Sequence, residues 1–366
     1  FALKPRAHLL ALAGDAGGAA ALAPVLRALV KHPAFRLDCL AYGPAKNAFA
    51  HEGLDFSAAE SEGDDRWLHA QWERETPQLV LTATSHNTWN AEKQLRQMAR
   101  EGGIPSVAVL DFWSNYSTRF SSPGQHLDCL ADRIAIMDEF AKDAMLAEGF
   151  PEACLHVTGQ PAFSSLLALP PATPEEAQAL RATLGLGTQK LVLFASQPLR
   201  AFQGTALGYD EHTVLTALQQ ALAAPELPPT QLLIRPHPRE NPEDYRRYVN
   251  LNTVLGSGGD GQSRLWMQAA DLVVGMNSAL LIEAFLLGRP VLSLQPGLRT
   301  ADLLPINQRG SAVAYETSAI GPLLRDLLTP GPAQEHYRQQ AHRFREALSP
   351  DATLKVVSLV ESTLAV

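Results

Sequence analysis

Two short apolar runs, each followed by polar residues, constrain the fold of this chain more than any other feature. They lie within Gln231–Ile234 and Asp271–Val274. Continuous apolar runs of this length are typical of strands that are buried on both faces of a parallel sheet. Open parallel sheets bind ligands at the carboxyl ends of their strands. The pattern therefore predicts an α/β chain whose site includes the residues that follow these two runs.

The residues after the first run predict an anion site. Arg235 and His237 stand two positions apart, and prolines on both sides restrain His237. On an extended strand the two side chains would project to the same face, where cations and donors can hold a phosphate. We predict that both bind phosphate and that His237 also stabilises a leaving group, although a lone histidine is more often structural.

The residues after the second run predict the start of a helix. Gly275 allows a close turn, and Asn277 or Ser278 can cap the helix that follows. The N–H groups and dipole of that helix start favour a phosphate, so Asn277, Ser278 and Ala279 are predicted to contact it. Glu283, in the first two turns, can accept hydrogen bonds from two sugar hydroxyls. Taken alone, this segment is equally compatible with an ordinary strand–turn–helix unit.

These segments together resemble the carboxyl-terminal half of GT-B-type proteins. The group includes UDP-N-acetylglucosamine 2-epimerases, CDP-glycerol transferases and bacterial capsule or sialic-acid-type glycosyltransferases. The residues that carry the resemblance are Arg235-Pro236-His237-Pro238, Asn277-Ser278, Glu283-Ala284 and Leu287-Gly288-Arg289-Pro290-Val291, together with the interdomain-like segment Thr158-Gly159-Gln160-Pro161-Ala162-Phe163. The resemblance covers residues 130 to 297 in pieces. It implies two Rossmann-like doubly wound domains with a cleft between them.

The length of 366 residues also predicts about two domains. Proline-rich and glycine-rich stretches between residues 169 and 187 mark the boundary. We predict an acceptor-side domain over residues 1–168 and a nucleotide-sugar-binding domain over residues 188–350. Residues 351–366 are predicted to form a helix that packs back on the first domain, as the fold resemblance implies.

A glycine-rich segment, residues 14–18, provides the first candidate site in the amino-terminal half. It is predicted to form a tight turn between a strand and a helix that starts at Ala19. The corresponding loop of GT-B proteins faces the cleft, so the resemblance implies that Asp15, Gly17 and Gly18 contact the sugar or acceptor. Asp15 is then the first candidate for a general base. A tight turn without a ligand is the alternative.

Asp111 is the second candidate base, because it follows a predicted strand and precedes two aromatic residues that could stack on a sugar. Helix or turn capping is its alternative role. His86 is the third candidate, in a polar cluster that includes Asn87. The resemblance also implies that Ser196 and Gln197, after the first strand of the second domain, face the nucleotide, with a plain turn as the alternative.

The function that the resemblance implies is glycosyl transfer from a nucleotide-activated sugar, CMP- or UDP-linked, to a glycan, lipid-linked or protein acceptor. Arg235, His237 and Ser278 would neutralise the leaving phosphate, so neither a metal nor a further cofactor is predicted. A UDP-N-acetylglucosamine 2-epimerase or hydrolase is the alternative, although Met276-Asn277-Ser278 and Ile282-Glu283 stand where that family has Ser-Gly-Gly and Glu-Glu. A two-lobed binding protein without catalysis is the third interpretation.

Composition narrows the range of partners and locations. The net charge of −8 and pI near 5.8 argue against a nucleic-acid partner, which requires a basic face.

The three cysteines lack metal-type spacing and are predicted to be small core residues in a reducing compartment. Glycines interrupt the apolar stretch near the amino terminus, so the cytoplasm is predicted. A lipid-linked acceptor would entail peripheral membrane association, and the oligomeric state stays open.

Overall fold

The computed structural model describes residues 6–85, 90–168, 173–183, 189–256 and 260–364. The chain divides into two compact units. The first unit comprises residues 1–168 together with residues 348–366, and the second comprises residues 169–347. The carboxyl-terminal helix is therefore part of the first unit.

The first unit contains a seven-stranded sheet within the described ranges. Every strand pair in it is parallel. Its strands are β1 (Ala7–Ala13), β2 (Phe35–Ala41), β3 (Ser57–Ala58), β4 (Leu79–Thr82), β5 (Ser106–Val109), β6 (Arg133–Ile136) and β7 (Leu155–Val157). The strand order is β3-β2-β1-β4-β5-β6-β7. The order reverses between β1 and β4, and such a switch point is where open α/β sheets bind ligands.

Helices connect these strands, and α1, α3, α4 and α6 each follow an aspartate or asparagine whose side chain accepts a backbone hydrogen bond. The helices of the first unit are α1 (Ala16–Val30), α2 (Ala45–His51), α3 (Asp65–Arg74), α4 (Ala91–Glu101), α5 (Tyr116–Arg119), α6 (Glu139–Ala147), α7 (Pro161–Leu167) and α15 (Ala352–Leu364). A single 3-10 turn, Glu152–Cys154, precedes β7.

The apolar face of α15 completes the core of the first unit. Val356, Val357 and Val360 belong to the same buried cluster as strands β1 and β5 and helix α1. Burying apolar side chains in this way contributes about 1.5–3 kcal/mol each. Polar contacts at the helix surface add to this, including a hydrogen bond of 2.8 Å from Arg133 Nη1 to Ser362 Oγ.

The second unit contains a six-stranded parallel sheet within the described ranges. Its strands are β8 (Lys190–Ala195), β9 (Thr230–Arg235), β10 (Thr253–Leu255), β11 (Leu272–Gly275), β12 (Val291–Leu294) and β13 (Ala312–Ala314), in the order β10-β9-β8-β11-β12-β13. Its switch point lies between β8 and β11, whose residues Leu193 and Val273 are register partners. Both apolar runs singled out in the sequence are thus central, buried strands.

The helices of the second unit are α8 (Pro174–Thr183), α9 (Leu199–Gln203), α10 (Glu211–Leu222), α11 (Asp260–Ala269), α12 (Ala279–Leu286), α13 (Ile320–Leu328) and α14 (Pro332–Ala347). Three 3-10 segments, Pro242–Tyr248, Pro305–Arg309 and Thr317–Ala319, complete it. The first of these segments is capped by Asn241, whose Oδ1 accepts a hydrogen bond from the Glu243 N–H. Gly288 adopts φ +73° just past α12, in the left-handed conformation that commonly ends a helix.

The described residues also bear on membrane insertion and on the state of the cysteines. No helix among the described residues is both long enough and apolar enough to cross a membrane. Cys39, Cys129 and Cys154 are free and buried, which confirms their prediction as small core residues.

Candidate functional site

The loop after β1 differs from the predicted glycine turn. Helix α1 starts at Ala16 rather than Ala19, so Gly17 and Gly18 lie in its first turn. Asp15 is the N-cap, and its Oδ1 accepts a hydrogen bond of 2.5 Å from the Gly18 N–H. The glycines are needed for space, because a Cβ on Gly18 would lie 2.8 Å from Ala83 Cβ. The turn is therefore present but limited to Gly14 and Asp15, and the predicted helix start at Ala19 was wrong.

Asp111, just after β5, forms a buried ion pair at the same edge of the sheet. Its Oδ1 lies 2.5 Å from Arg119 Nη1, and these two side chains are 10% and 3% exposed. Thr84 Oγ1 donates to the same carboxylate oxygen over 3.2 Å. Arg119 also donates to the carbonyl oxygens of Thr84 and Ser114. Asp111 is thus held by an arginine from α5 and a threonine from the end of β4.

The two predicted bases of the first unit are neighbours. A Cβ atom on Gly17 would lie 2.7 Å from Asp111 Oδ2 and 3.9 Å from Asp15 Oδ1, so both carboxylates approach one point. Burial, together with the nearby charge of Asp111, raises the pKa of Asp15 to about 6. Like-charged neighbours in a partly desolvated site disfavour a second ionisation, which explains the direction of this shift. Asp15 can therefore accept or release a proton near pH 6, as a general acid or base must.

A third carboxylate, that of Glu92, accepts hydrogen bonds from residues that follow β1, β2 and β4. Glu92 is fully buried and accepts hydrogen bonds from the Gly14 N–H, the Ser85 hydroxyl and the Tyr42 hydroxyl. Burial and the adjacent Glu92 carboxylate raise the pKa of Tyr42. The polar cluster after β4 is thus partly structural, because Thr84 and Ser85 are both buried in these contacts. The predicted candidates His86 and Asn87 lie outside the described residues.

In the second unit, the turn after β9 is organised around Glu240. This carboxylate accepts hydrogen bonds from the His237 N–H at 2.6 Å, the Tyr245 hydroxyl at 2.5 Å and the Ser196 hydroxyl at 3.2 Å. Burial raises the pKa of Glu240, against the opposing effect of these donors. Ser196 is buried in this network, so its hydroxyl already has two partners within the chain.

His237 lies beyond the strand on which it was placed. Strand β9 ends at Arg235, and His237 Nδ1 accepts a hydrogen bond of 3.1 Å from the Arg239 N–H. The argument that strand periodicity puts Arg235 and His237 on one face was therefore wrong. The turn forms because Pro236 and Pro238 supply no N–H group that could continue the ladder.

The ends of β8 and β11 are joined directly at the switch point. Gln197 Oε1 accepts a hydrogen bond of 3.1 Å from the Asn277 N–H. Ser278 is the N-cap of α12, and its Oγ accepts from the Leu280 N–H at 3.2 Å. Ala279 is exposed at the first position of that helix. Helix α12, eight residues long, therefore starts directly after the end of β11.

Glu283 lies farther along α12 and interacts electrostatically with two arginines. Burial raises the pKa of Glu283, and the charges of Arg235 and Arg264 oppose that shift. Arg264 comes from α11, which immediately precedes β11 in the chain. The predicted residues of the second unit thus gather along the ends of β8, β9 and β11.

Sequence reasoning missed Arg119, Glu92, Glu240 and Arg264. Arg119 and Glu92 lie within helices whose spacing gives no sign of a site, although an arginine eight residues after Asp111 could have been considered. In the sequence, Arg264 follows a glycine-rich stretch and precedes apolar residues, and an arginine in such a position is usually exposed to solvent. Among the described residues, no group of three or more His, Cys, Asp or Glu side chains could hold a metal ion.

Comparison with known proteins gives a clear answer for the fold. No family model and no curated protein sequence matches the chain. A UDP-GlcNAc 2-epimerase from Neisseria meningitidis, solved with UDP-GlcNAc, is 17% identical, with a TM-score of 0.69 over 97% of this chain and 100% of that one. A Staphylococcus aureus protein, MnaA, solved with UDP, is 14% identical, with a TM-score of 0.69 over 98% of this chain and 97% of that one. The chain has the GT-B fold.

A third solved structure with this fold contains both a nucleotide and a sugar. HepE from Anabaena, solved with UDP and glucose, is 14% identical, with a TM-score of 0.64 over 98% of this chain and 100% of that one. The predicted fold class, two Rossmann-like doubly wound domains, and the resemblance to GT-B proteins are both confirmed. At these identities the similarity establishes the fold, and function has to be argued from the residues.

Proposed function

We propose that this GT-B chain is a UDP-sugar 2-epimerase, which inverts the C2 centre of a UDP-linked 2-acetamido sugar. The second unit would bind the nucleotide diphosphate, and the first would supply the acid and base. Solved epimerases of this fold have TM-scores of 0.66 to 0.71 with this chain, against 0.63 to 0.64 for HepE and a kitacinnamycin glycosyltransferase. The fold alone does not choose between these reactions, so the choice depends on the carboxylates.

The observation that carries the proposal is the pair Asp15 and Asp111. Asp111 forms a salt bridge with the buried Arg119, whereas the pKa of Asp15 is raised to about 6. Two neighbouring carboxyl groups in different environments take different protonation states, which is how one site supplies both an acid and a base. Epimerisation needs both, because a proton leaves one face of C2 and another arrives on the opposite face.

The chemistry balances without an oxidant. The C2–H bond of the sugar has no adjacent carbonyl group, so its proton is removed only if the electron pair has somewhere to go. We propose that a carboxylate takes this proton, the pair forms a C1=C2 double bond and the C1–O bond to UDP breaks. UDP then adds back to C1, while a carboxylic acid protonates C2 from the other face. Donors that stabilise the departing diphosphate lower this barrier.

The second unit contains suitable donors for that diphosphate. Arg235 and His237 lie at the end of β9, and Ser278 begins α12. A helix start of this kind favours an anion through its free N–H groups and its dipole. Asn277 and Ala279 would contribute backbone contacts, and Glu283 would accept from ribose hydroxyls. Gln197 would fix this arrangement through Asn277, and Ser196 through Glu240.

The test begins with ligand binding and then measures exchange. Thermal-shift screening against UDP, GDP, CMP, CDP and TDP should select UDP. The protein is then incubated with UDP-GlcNAc in D2O, and NMR should show deuterium at C2 together with the C2 epimer. Asp15→Asn and Asp111→Asn should abolish exchange while retaining the UDP shift. Binding of UDP-GlcNAc without any C2 deuterium would reject the epimerase.

A second variant tests the nucleotide assignment. His237→Ala should weaken UDP binding by about 1–3 kcal/mol, the usual loss for a charge-assisted hydrogen bond. Glu346→Ala is the control, because this exposed carboxylate on α14 pairs with His342 at the surface. Unchanged UDP affinity in the His237 variant would remove this histidine from the site.

Glycosyl transfer is the second candidate, and one observation favours it. Met276-Asn277-Ser278 replaces the Ser-Gly-Gly turn of the epimerases, and Met276 is fully buried rather than available to a phosphate. A transferase needs a single base, which Asp15 or Asp111 could provide. Slow hydrolysis of the UDP-sugar with UDP release, without deuterium at C2, would support this reaction instead.

A further inference from the structure

Arg264 has two hydrogen-bond donors that bond to none of the described residues. Its Nε and Nη2 atoms are shielded from solvent and lack a hydrogen-bond partner among the described residues. A guanidinium group stays charged and is a strong donor at every accessible pH. Burying unused donors costs free energy, so native proteins rarely leave them without a partner or a ligand.

The charges around Arg264 favour an anion. Arg264 and Arg235 both interact electrostatically with Glu283, so the three side chains share one neighbourhood. The first turn of α12 begins at Ser278, five residues before Glu283, and adds the partial positive charge of a helix start. A bound anion would satisfy the spare donors of Arg264.

We propose that Arg264 is a specificity-determining residue that binds a phosphate of the nucleotide and thereby selects nucleoside diphosphates over monophosphates. This inference rests on the proposed binding of a nucleotide by the second unit. A single phosphate can be held by one helix start and one arginine. A second phosphate needs further donors, and a guanidinium offers two parallel N–H groups in the geometry that phosphate oxygens accept.

The inference predicts opposite effects on the free and the liganded protein. Arg264→Met keeps the aliphatic length and removes the buried charge. In the free protein this change should raise Tm or leave it unchanged, because buried N–H donors without hydrogen bonds disfavour the folded state. With saturating UDP, the increase in Tm over the free protein should be smaller than in the wild type. A purely structural arginine would instead lower Tm without ligand.

Calorimetric titration separates the parts of the nucleotide. Wild type, Arg264→Met and Arg325→Met are titrated with UDP, UMP and uridine under identical conditions. Arg325 is an exposed arginine on α13 in the same unit, so its variant controls for the loss of one positive charge. Arg264→Met should weaken UDP binding about tenfold to a hundredfold and UMP binding by less. Uridine affinity should not change, and Arg325→Met should match the wild type.

The outcomes distinguish this inference from the function on which it rests. If the wild type binds none of the three compounds, both the nucleotide site and the role of Arg264 are rejected. If the wild type binds UDP and Arg264→Met binds it equally well, the role of Arg264 alone is rejected. An equal loss of affinity for UDP and uridine would also overturn it, since Arg264 would then contact the nucleoside or support the fold.

Discussion

Gly17 lies so close to Asp111 that a Cβ atom at residue 17 would be 2.7 Å from Asp111 Oδ2. This glycine sits in the first turn of α1, with an ordinary helical backbone. Its role is therefore to leave space for a carboxylate, not to provide a left-handed turn. The closeness also makes residue 17 a direct probe of the carboxylate pair.

Gly17→Ala should displace Asp111 and lower turnover by about tenfold or more, since small misplacements of reacting groups are costly. The matched control is Gly321→Ala, because Gly321 is also helical and a Cβ there would have nothing within 4 Å. The control should gain up to about 1 kcal/mol of stability without any change in turnover. Full activity in Gly17→Ala would show that the position of Asp111 does not limit the reaction.

The raised pKa of Asp15 predicts a pH-dependent stability. Because the folded-state pKa is about 6 and the reference value is 3.8, the folded protein binds more protons than the unfolded chain between these pH values. The contribution of Asp15 to stability is therefore favourable at low pH and is lost as pH rises through about 4 to 6. Asp15→Asn removes this dependence and keeps an effective helix cap.

Urea unfolding of wild type and Asp15→Asn at pH 4 and pH 7.5 measures this effect. The two proteins should be nearly equal in stability at pH 4. At pH 7.5 the variant should be more stable by about 1–2 kcal/mol, after allowance for solvent screening of a partly exposed group. A stability difference that is the same at both pH values would contradict a raised pKa at residue 15.

The ion pair between Arg119 and Asp111 should matter for folding as well as for activity. Arg119→Gln leaves a buried carboxylate without its cation and should destabilise the protein by about 3–5 kcal/mol. The control is Arg246→Gln, because Arg246 Nε lies at the same distance, 2.5 Å, from Glu243, but both side chains are more than 60% exposed. That variant should lose less than about 1 kcal/mol. Chemical denaturation measures the loss of stability in both variants. Similar losses would refute the importance of burial for the ion pair.

Ser278 is predicted to have two separable roles, capping α12 and binding the ligand. Ser278→Ala should cost about 1 kcal/mol of stability through the lost cap, whereas Ser278→Asn should restore it. If the hydroxyl also contacts phosphate, UDP affinity should stay reduced in both variants. Thermal unfolding and calorimetric titration report the two roles independently. Full UDP affinity in Ser278→Ala would show that Ser278 caps α12 and does not bind the ligand.

The sequence by itself determined the architecture and the edge at which polar residues gather. Continuous apolar runs such as Leu272–Val274 can only be satisfied by burial on both faces, and this requirement predicts parallel sheets and the polar ends of their strands. The capping role of Ser278 was equally local, because it depends on one side chain and the first turn of one helix. These features were predictable since they rest on periodicity and near neighbours.

Only the tertiary structure decided which distant side chains meet. Arg119 reaches Asp111 because α5 follows β5 after a short loop, and Arg264 and Glu283 interact electrostatically from the helices on either side of β11. The structure also ended β9 at Arg235, so His237 bonds within its own turn instead of following the strand alternation. Burial and charge at such meeting points depend on the whole packed unit, which is why a single stretch of sequence does not contain them.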